Sequence, residues 1–167
     1  MEIEKKYRVK YLPNGYETYP CKEIEQGYLC ENPVVRIRKS NEDYILTYKS
    51  KFGMEDTKST NALVNHEVEV PLNQEGYEHL KGKIDGNLIV KKRYVIPLEE
   101  RTDANLIMGL KAELDVFEGC LAGLRIVEVE FATEEDAREF IPPEWFGEDV
   151  TFDKRYANKN MIHIKII

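Results

Sequence analysis

Tryptophan occurs once and cysteine and histidine three times each in 167 residues, and this scarcity removes several chemistries at the outset. Cys21, Cys30 and Cys120 are odd in number and form no C-x-x-C pair, which argues against a disulfide framework and against a cysteine-built zinc site. Each reads as a buried or half-buried filler. His66, His79 and His163 stand apart from one another and from cysteine, so none is assigned to a metal. No apolar run is long enough to span a bilayer, and charge begins at residue 2, unlike an ordinary signal peptide; a cytoplasmic protein is expected. Internal repeats and low-complexity segments are also missing. The net charge of −7 argues against a nucleic-acid binder that relies on a broad positive surface. The length suits one domain, residues 1–167, with a real core.

Charge is plentiful, at 33% of residues, and it is sorted by sign. In MEIEKKYRVK, Glu2, Glu4, Lys6 and Arg8 alternate with Ile3, Lys5, Tyr7 and Val9. A helix would have no apolar stripe here, whereas a strand puts the first set on one face and a mostly apolar row on the other. Similar alternation marks Val35–Arg38, Leu46–Lys49, Glu67–Val70, Lys91–Tyr94, Glu113–Phe117 and Glu128–Phe131. Like charges two apart repel, so such strands are stable together only if basic and acidic members face one another or share a bound ion.

In chain order, the first strand runs to about Lys10, and Pro13-Asn14-Gly15 marks a loop from Leu12 to Pro20. A meander of hairpins over about Lys22–Cys30, Pro33–Lys39 and Asp43–Ser50 follows. Polar Lys51–Asn61 reads as a mobile loop and Leu63–Pro71 as the fifth strand. Asn73 is a candidate helix N-cap, with Tyr77, Leu80 and Ile84 at helical spacing and Gly86 as the stop. Leu88–Pro97, about Leu106–Phe117 and Leu124–Phe131 complete eight strands. Thr133 caps a second helix, Glu134–Phe140, ended by Pro142-Pro143. Trp145 reads as a packed aromatic in preference to a stacking platform, and Met161–Ile167 as an extra strand that invites pairing in a homodimer.

The expected fold class is α+β, mainly β: a closed eight-stranded antiparallel β-barrel with charges inside and the apolar rows covered outside by the helices. Such a lumen must stay wet or hold ligand.

Glu2-Ile3-Glu4-Lys5-Lys6 resembles the E-x-E-x-K motif of the CYTH superfamily, the triphosphate tunnel metalloenzymes, and VRIRKS, LTYKS, EVEV, KKRY, LDVFEG and VEVEF fall in that family's order. The resemblance spans Glu2 to about Asn158 and is strongest to short bacterial members similar to inorganic tripolyphosphatases. It implies a tunnel that holds a small-molecule triphosphate with a divalent metal and hydrolyses or rearranges it. Side-chain chemistry agrees. Polyphosphate is gripped by fixed cations, and Lys6, Arg36, Arg38, Lys49, Lys91 and Arg93 supply them. Mg²⁺ or Mn²⁺ prefers carboxylate oxygen, offered by Glu2 and Glu4 with Glu128 and Glu130. The resemblance implies that some of Glu67, Glu69 and Asp115 hold a second metal or orient the attacking water. Glu67 and Glu69 are grouped with Lys6 and Arg38 as catalytic candidates, and Asp115 with the metal ligands. In Thr151–Asn158, Lys154 or Arg155 adds a cation. Three classes of function remain: tripolyphosphate hydrolysis, with thiamine triphosphatase as a narrower version; adenylyl cyclase; and polyphosphate binding without turnover.

Overall fold

A computed structural model of the chain describes residues 1–51, 62–98 and 109–163. Nine strands appear among the described residues: β1 Glu2–Val9, β2 Cys21–Glu31, β3 Val34–Ser40, β4 Asp43–Ser50, β5 Leu63–Leu72, β6 Asp85–Pro97, β7 Lys111–Glu118, β8 Arg125–Glu130 and β9 Phe146–Asp149. Helices are α1 Gln74–Lys81, α2 Glu134–Glu139 and α3 Asn158–Met161. The expected turn over 99–105, residues 106–108 of the seventh strand and the loop over 52–61 fall outside the described residues.

Eight strands close in the order β1-β5-β4-β3-β2-β6-β7-β8 and back to β1, every pairing antiparallel. Closure between β1 and β5 rests on Glu2↔Asn65, Ile3↔Val64 and Glu4↔Leu63 alone. Further along, β1 gives that edge to β9 through Tyr7↔Asp149 and Val9↔Phe146. The alternation pattern does not reveal β9, which is four residues long with a single large apolar side chain and takes its conformation from the edge it pairs with.

The apolar rows face outward and are covered, as the period-two reading requires. Ile3, Tyr7, Val64, Ile96, Leu114, Val127 and Val129 pack beneath Ala137 of α2 and against Phe131, Phe140, Trp145 and Phe146. Burying each large apolar side chain is worth about 1.5–3 kcal/mol. Trp145 lies edge-on to Phe146 at 4.6 Å, a packed aromatic. On the other side, α1 starts where Asn73 Oδ1 accepts from Gly76 N at 2.6 Å and buries Tyr77 against Tyr44. A side chain at Gly27 would strike Ile84, which nests against β2 there.

Two local expectations change. Helix α1 ends at Lys81, and Gly86 belongs to β6. Its φ of +67 lets the backbone reach Ile162, whose carbonyl accepts from Asn87 N at 2.8 Å. The C-terminal residues up to 163 are a short helix and turn, not a strand, and Met161 and Ile162 are buried among Tyr28, Ile89, Phe117 and Ile126 on the inner barrel face. These two side chains are therefore not free to pair with a second copy, and 164–167 fall outside the described residues. Cys21 is exposed, unlike the filler expected, while Cys30 and Cys120 are half-buried.

Candidate active site

The inward faces enclose a cavity of about 440 Å³. Eleven of the candidate residues line it: Glu2, Glu4, Lys6, Arg36, Arg38, Lys49, Glu67, Arg93, Glu128, Glu130 and Lys154. Four do not. Lys91 and Asp115 share the inner parity but are buried in the wall, Glu69 is exposed at the far end of β5, and Arg155 is exposed and held by Asp153 at 2.7 Å. Glu113, Tyr28, Lys51, Asn65, Thr151 and Asp153 also line the cavity. For Glu113 the signal was present, because it stands two residues before Asp115 on one strand; the neutral residues carry no charge pattern to read.

Ring order sorts the charges. Acid-bearing β8, β1 and β5 each stand four places around the barrel from β3, β2 and β6, so a carboxylate wall faces a guanidinium wall. Segment 150–157 is laid across the lumen by β1: Val150 N donates to the Lys6 carbonyl at 2.9 Å, and Lys6 N to Thr151 Oγ1 at 3.0 Å. Lys6 Nζ in turn donates to the Tyr156 carbonyl at 2.9 Å.

On the acidic wall, Lys49 Nζ lies 2.8 Å from Glu2 Oε1, 3.5 Å from Glu67 Oε2 and 4.0 Å from Glu4 Oε1. One ammonium cannot satisfy this set. Burial, then the neighbouring Glu128, pushes the Glu4 carboxyl up to about 8. Burial raises Glu2, with Glu67 adding to it, and raises Glu130, with Glu2 and Glu113 adding. Glu128 goes the other way: burial opposes ionisation, but Lys6, Arg93 and Lys91 outweigh it and hold the carboxyl well below the usual range. Crowded hard oxygens short of positive charge suit a divalent cation such as Mg²⁺ or Mn²⁺. Among the described residues, however, no three His, Cys, Asp or Glu side chains form a ready cage.

The basic wall has two parts. Arg93 donates to both oxygens of Asp115, from Nε at 2.7 Å and Nη2 at 2.9 Å, and to Glu113 at 3.2 Å. Lys91 Nζ reaches Asp115 Oδ2 at 2.6 Å, so the Asp115 carboxylate is saturated and ionised. Burial draws the Lys91 amine down, against Asp115, which holds the proton on. Arg36 and Arg38 have no such partner. Neither makes an ion pair among the described residues, Arg36 Nε is buried without an acceptor, and Arg38 donates from Nε only to the neutral Gln26 Oε1 at 2.9 Å. Burial, with Arg36 and Arg93 beside it, pulls Arg38 down to about 9. A cavity with uncompensated guanidinium on one side and cation-seeking carboxylate on the other can receive a multiply charged anion together with a metal ion.

Comparison with known proteins agrees with this geometry. An inorganic triphosphatase of Nitrosomonas europaea is 38% identical over 162 residues, 95% of this chain and 94% of that protein. One of Acetivibrio thermocellus is 32% identical over 168 residues, 96% and 92%. The crystal structure of the inorganic triphosphatase NE1496 superposes with a TM-score of 0.67 at 34% identity, covering 99% of this chain and 96% of the other. No family model matches the sequence.

Proposed function

The chain belongs to the inorganic triphosphatase family, and from that premise we propose that it hydrolyses inorganic tripolyphosphate to pyrophosphate and orthophosphate, aided by Mg²⁺ or Mn²⁺. The observation that carries the reading is the Arg36 and Arg38 pair, one buried and one half-buried cation, neither of which makes an ion pair among the described residues. A buried, unpaired guanidinium costs several kcal/mol, a cost that a polyphosphate removes by supplying oxygens in the fork geometry arginine prefers. The charged groups of the lining suit phosphate and metal, and no lining residue is assigned to a base or a thiazole.

In this reading Lys6, Arg36, Arg38, Lys49 and Arg93 hold the phosphoryl oxygens, and Lys154 adds charge where the lining is exposed. Lys91 and Asp115 act one layer back, fixing Arg93. Glu2, Glu4, Glu128 and Glu130 would hold the metal. When bound, a divalent cation neutralises phosphoryl charge and lowers the pKa of a coordinated water. Glu67, adjoining Glu2 and Lys49, is the carboxylate we assign to orienting the attacking water. Water oxygen bonds to a terminal phosphorus, the bridging P–O bond breaks, and the proton leaves with the products. Glu69 and Arg155 are left out because neither lines the cavity. We read residues 1–167 as one domain working in the cytoplasm, where three free thiols are at home.

The test is a panel of tripolyphosphate, ATP and thiamine triphosphate, each with Mg²⁺ or Mn²⁺, with products separated by ion chromatography. Tripolyphosphate should be cleaved fastest, giving orthophosphate and pyrophosphate. A preference for ATP with cyclic AMP as product would replace this reading by the cyclase, and binding with no metal-dependent phosphate release would replace it by the binding module.

A further inference from the structure

Gln26 sits at an inward position of β2, opposite Arg38 of β3 on one side and Ile89 of β6 on the other. It is completely buried. Its Oε1 accepts the Arg38 Nε–H at 2.9 Å, while its Nε2 has no partner among the described residues. A buried amide donor left open is uncommon and destabilising. The position is more unusual for its charge than for its geometry. Lys91 and Arg93 have Asp115, and Lys49 has Glu2. Arg38, pressed by Arg36 and Arg93, has an uncharged amide. Glutamate has the same length and shape, would keep the accepted bond, would remove the open donor and would neutralise Arg38.

We propose that Gln26 is a positioning residue that fixes the Arg38 guanidinium while leaving its charge uncancelled, so that its two Nη groups are held toward the cavity for a phosphate oxygen at the expense of the empty fold's stability. This rests on the triphosphate reading and adds to it a residue with no charge of its own that does not line the cavity. Engaging Nε alone leaves the Nη edge, the edge that takes two oxygens at once. If Gln26 only filled space, any substitution would move ligand affinity and stability in the same direction. A reserved charge moves them in opposite directions.

The experiment compares wild type with Q26E and Q26L in metal-free buffer, measuring the melting temperature without ligand and tripolyphosphate affinity by calorimetry, so that turnover does not intervene. Q26E should melt higher by about 3 °C or more, on the scale of one newly satisfied buried charge, and bind tripolyphosphate at least about tenfold more weakly. Q26L keeps the Arg38 charge but frees its orientation; it should melt lower than wild type and bind roughly threefold more weakly, less of a loss than Q26E. Q26E that melts lower, or binds within twofold of wild type, overturns the proposal, as does Q26L binding like wild type. Failure of wild type to bind without metal also overturns it, because Arg38 would then not be held in readiness. Failure of the triphosphate reading shows separately, as no phosphate release by wild type in the substrate panel.

Discussion

Two halves of the same basic wall behave differently. On β6, Lys91 and Arg93 share the Asp115 carboxylate at 2.6–2.9 Å, so their charge is largely matched within the fold although Arg93 still lines the cavity. On β3, Arg36 is buried and Arg38 half-buried, and neither has a carboxylate partner among the described residues. The fold places an aspartate against two cations on β6 and sets none against the pair on β3, two strands away in the sheet, which is the contrast expected if structural charge is kept apart from charge reserved for a ligand. In the reading proposed above, the matched half chiefly holds the wall together and the unmatched half supplies the spare charge for phosphate.

The largest effect should come from breaking the matched half. Asp115→Asn leaves Lys91 and Arg93 buried without their shared counter-ion and should cost about 3–5 kcal/mol, read as a shifted urea midpoint with activity lost alongside. Glu4→Gln is the opposite case, since burial and Glu128 already make its carboxyl reluctant to ionise. Turnover should fall by about two to three orders of magnitude, whereas the metal-free melting temperature at pH 8 should hold or rise. An unchanged rate with an unchanged metal requirement would remove the first strand from the metal site.

A smaller effect separates the walls by pH. Glu4 is raised from the ordinary 4.5 to about 8 in the fold. Its neutral form therefore stabilises the metal-free protein fully below about pH 4.5, and that contribution is lost as pH rises through about 8. Glu2 and Glu130, raised in the same direction, add to the slope. Melting temperature without metal should fall between pH 5 and 8, and Mg²⁺ should restore more of it at pH 8 than at pH 5. A metal-free profile that rises across this interval would contradict the charge assignment. The smallest effect is expected at Glu69, which is exposed and off the cavity; Glu69→Gln should leave kcat/KM within about twofold, and a hundredfold loss would bring it back into the site.

Much of this contrast was legible in the sequence. Period-two alternation fixed which residues of β1, β3, β6, β7 and β8 face inward, and sign sorting among strands called for acidic and basic members to face one another or to share an ion. What alternation does not carry is depth along a strand. Glu67 and Glu69 share a parity, yet one lines the cavity and the other meets solvent. Nor does it show who neutralises whom, so Asp115 reads as a metal ligand until its three bonds from Lys91 and Arg93 are seen. Gln26 leaves no mark in a charge pattern, being uncharged, and α3 takes its place from contacts with Ile89 and Phe117 that lie far away in sequence.

Arg36→Gln is the decisive substitution, because it removes an uncompensated cation while filling part of its space and leaving every ion pair of the matched half intact. Calorimetric titration with tripolyphosphate, beside a melt of the unliganded protein, should show affinity weakened at least about tenfold and a melting temperature equal to or above that of wild type. Unchanged affinity with a lowered melting temperature would mean that Arg36 supports the fold and that the lumen's spare charge is not there for phosphate.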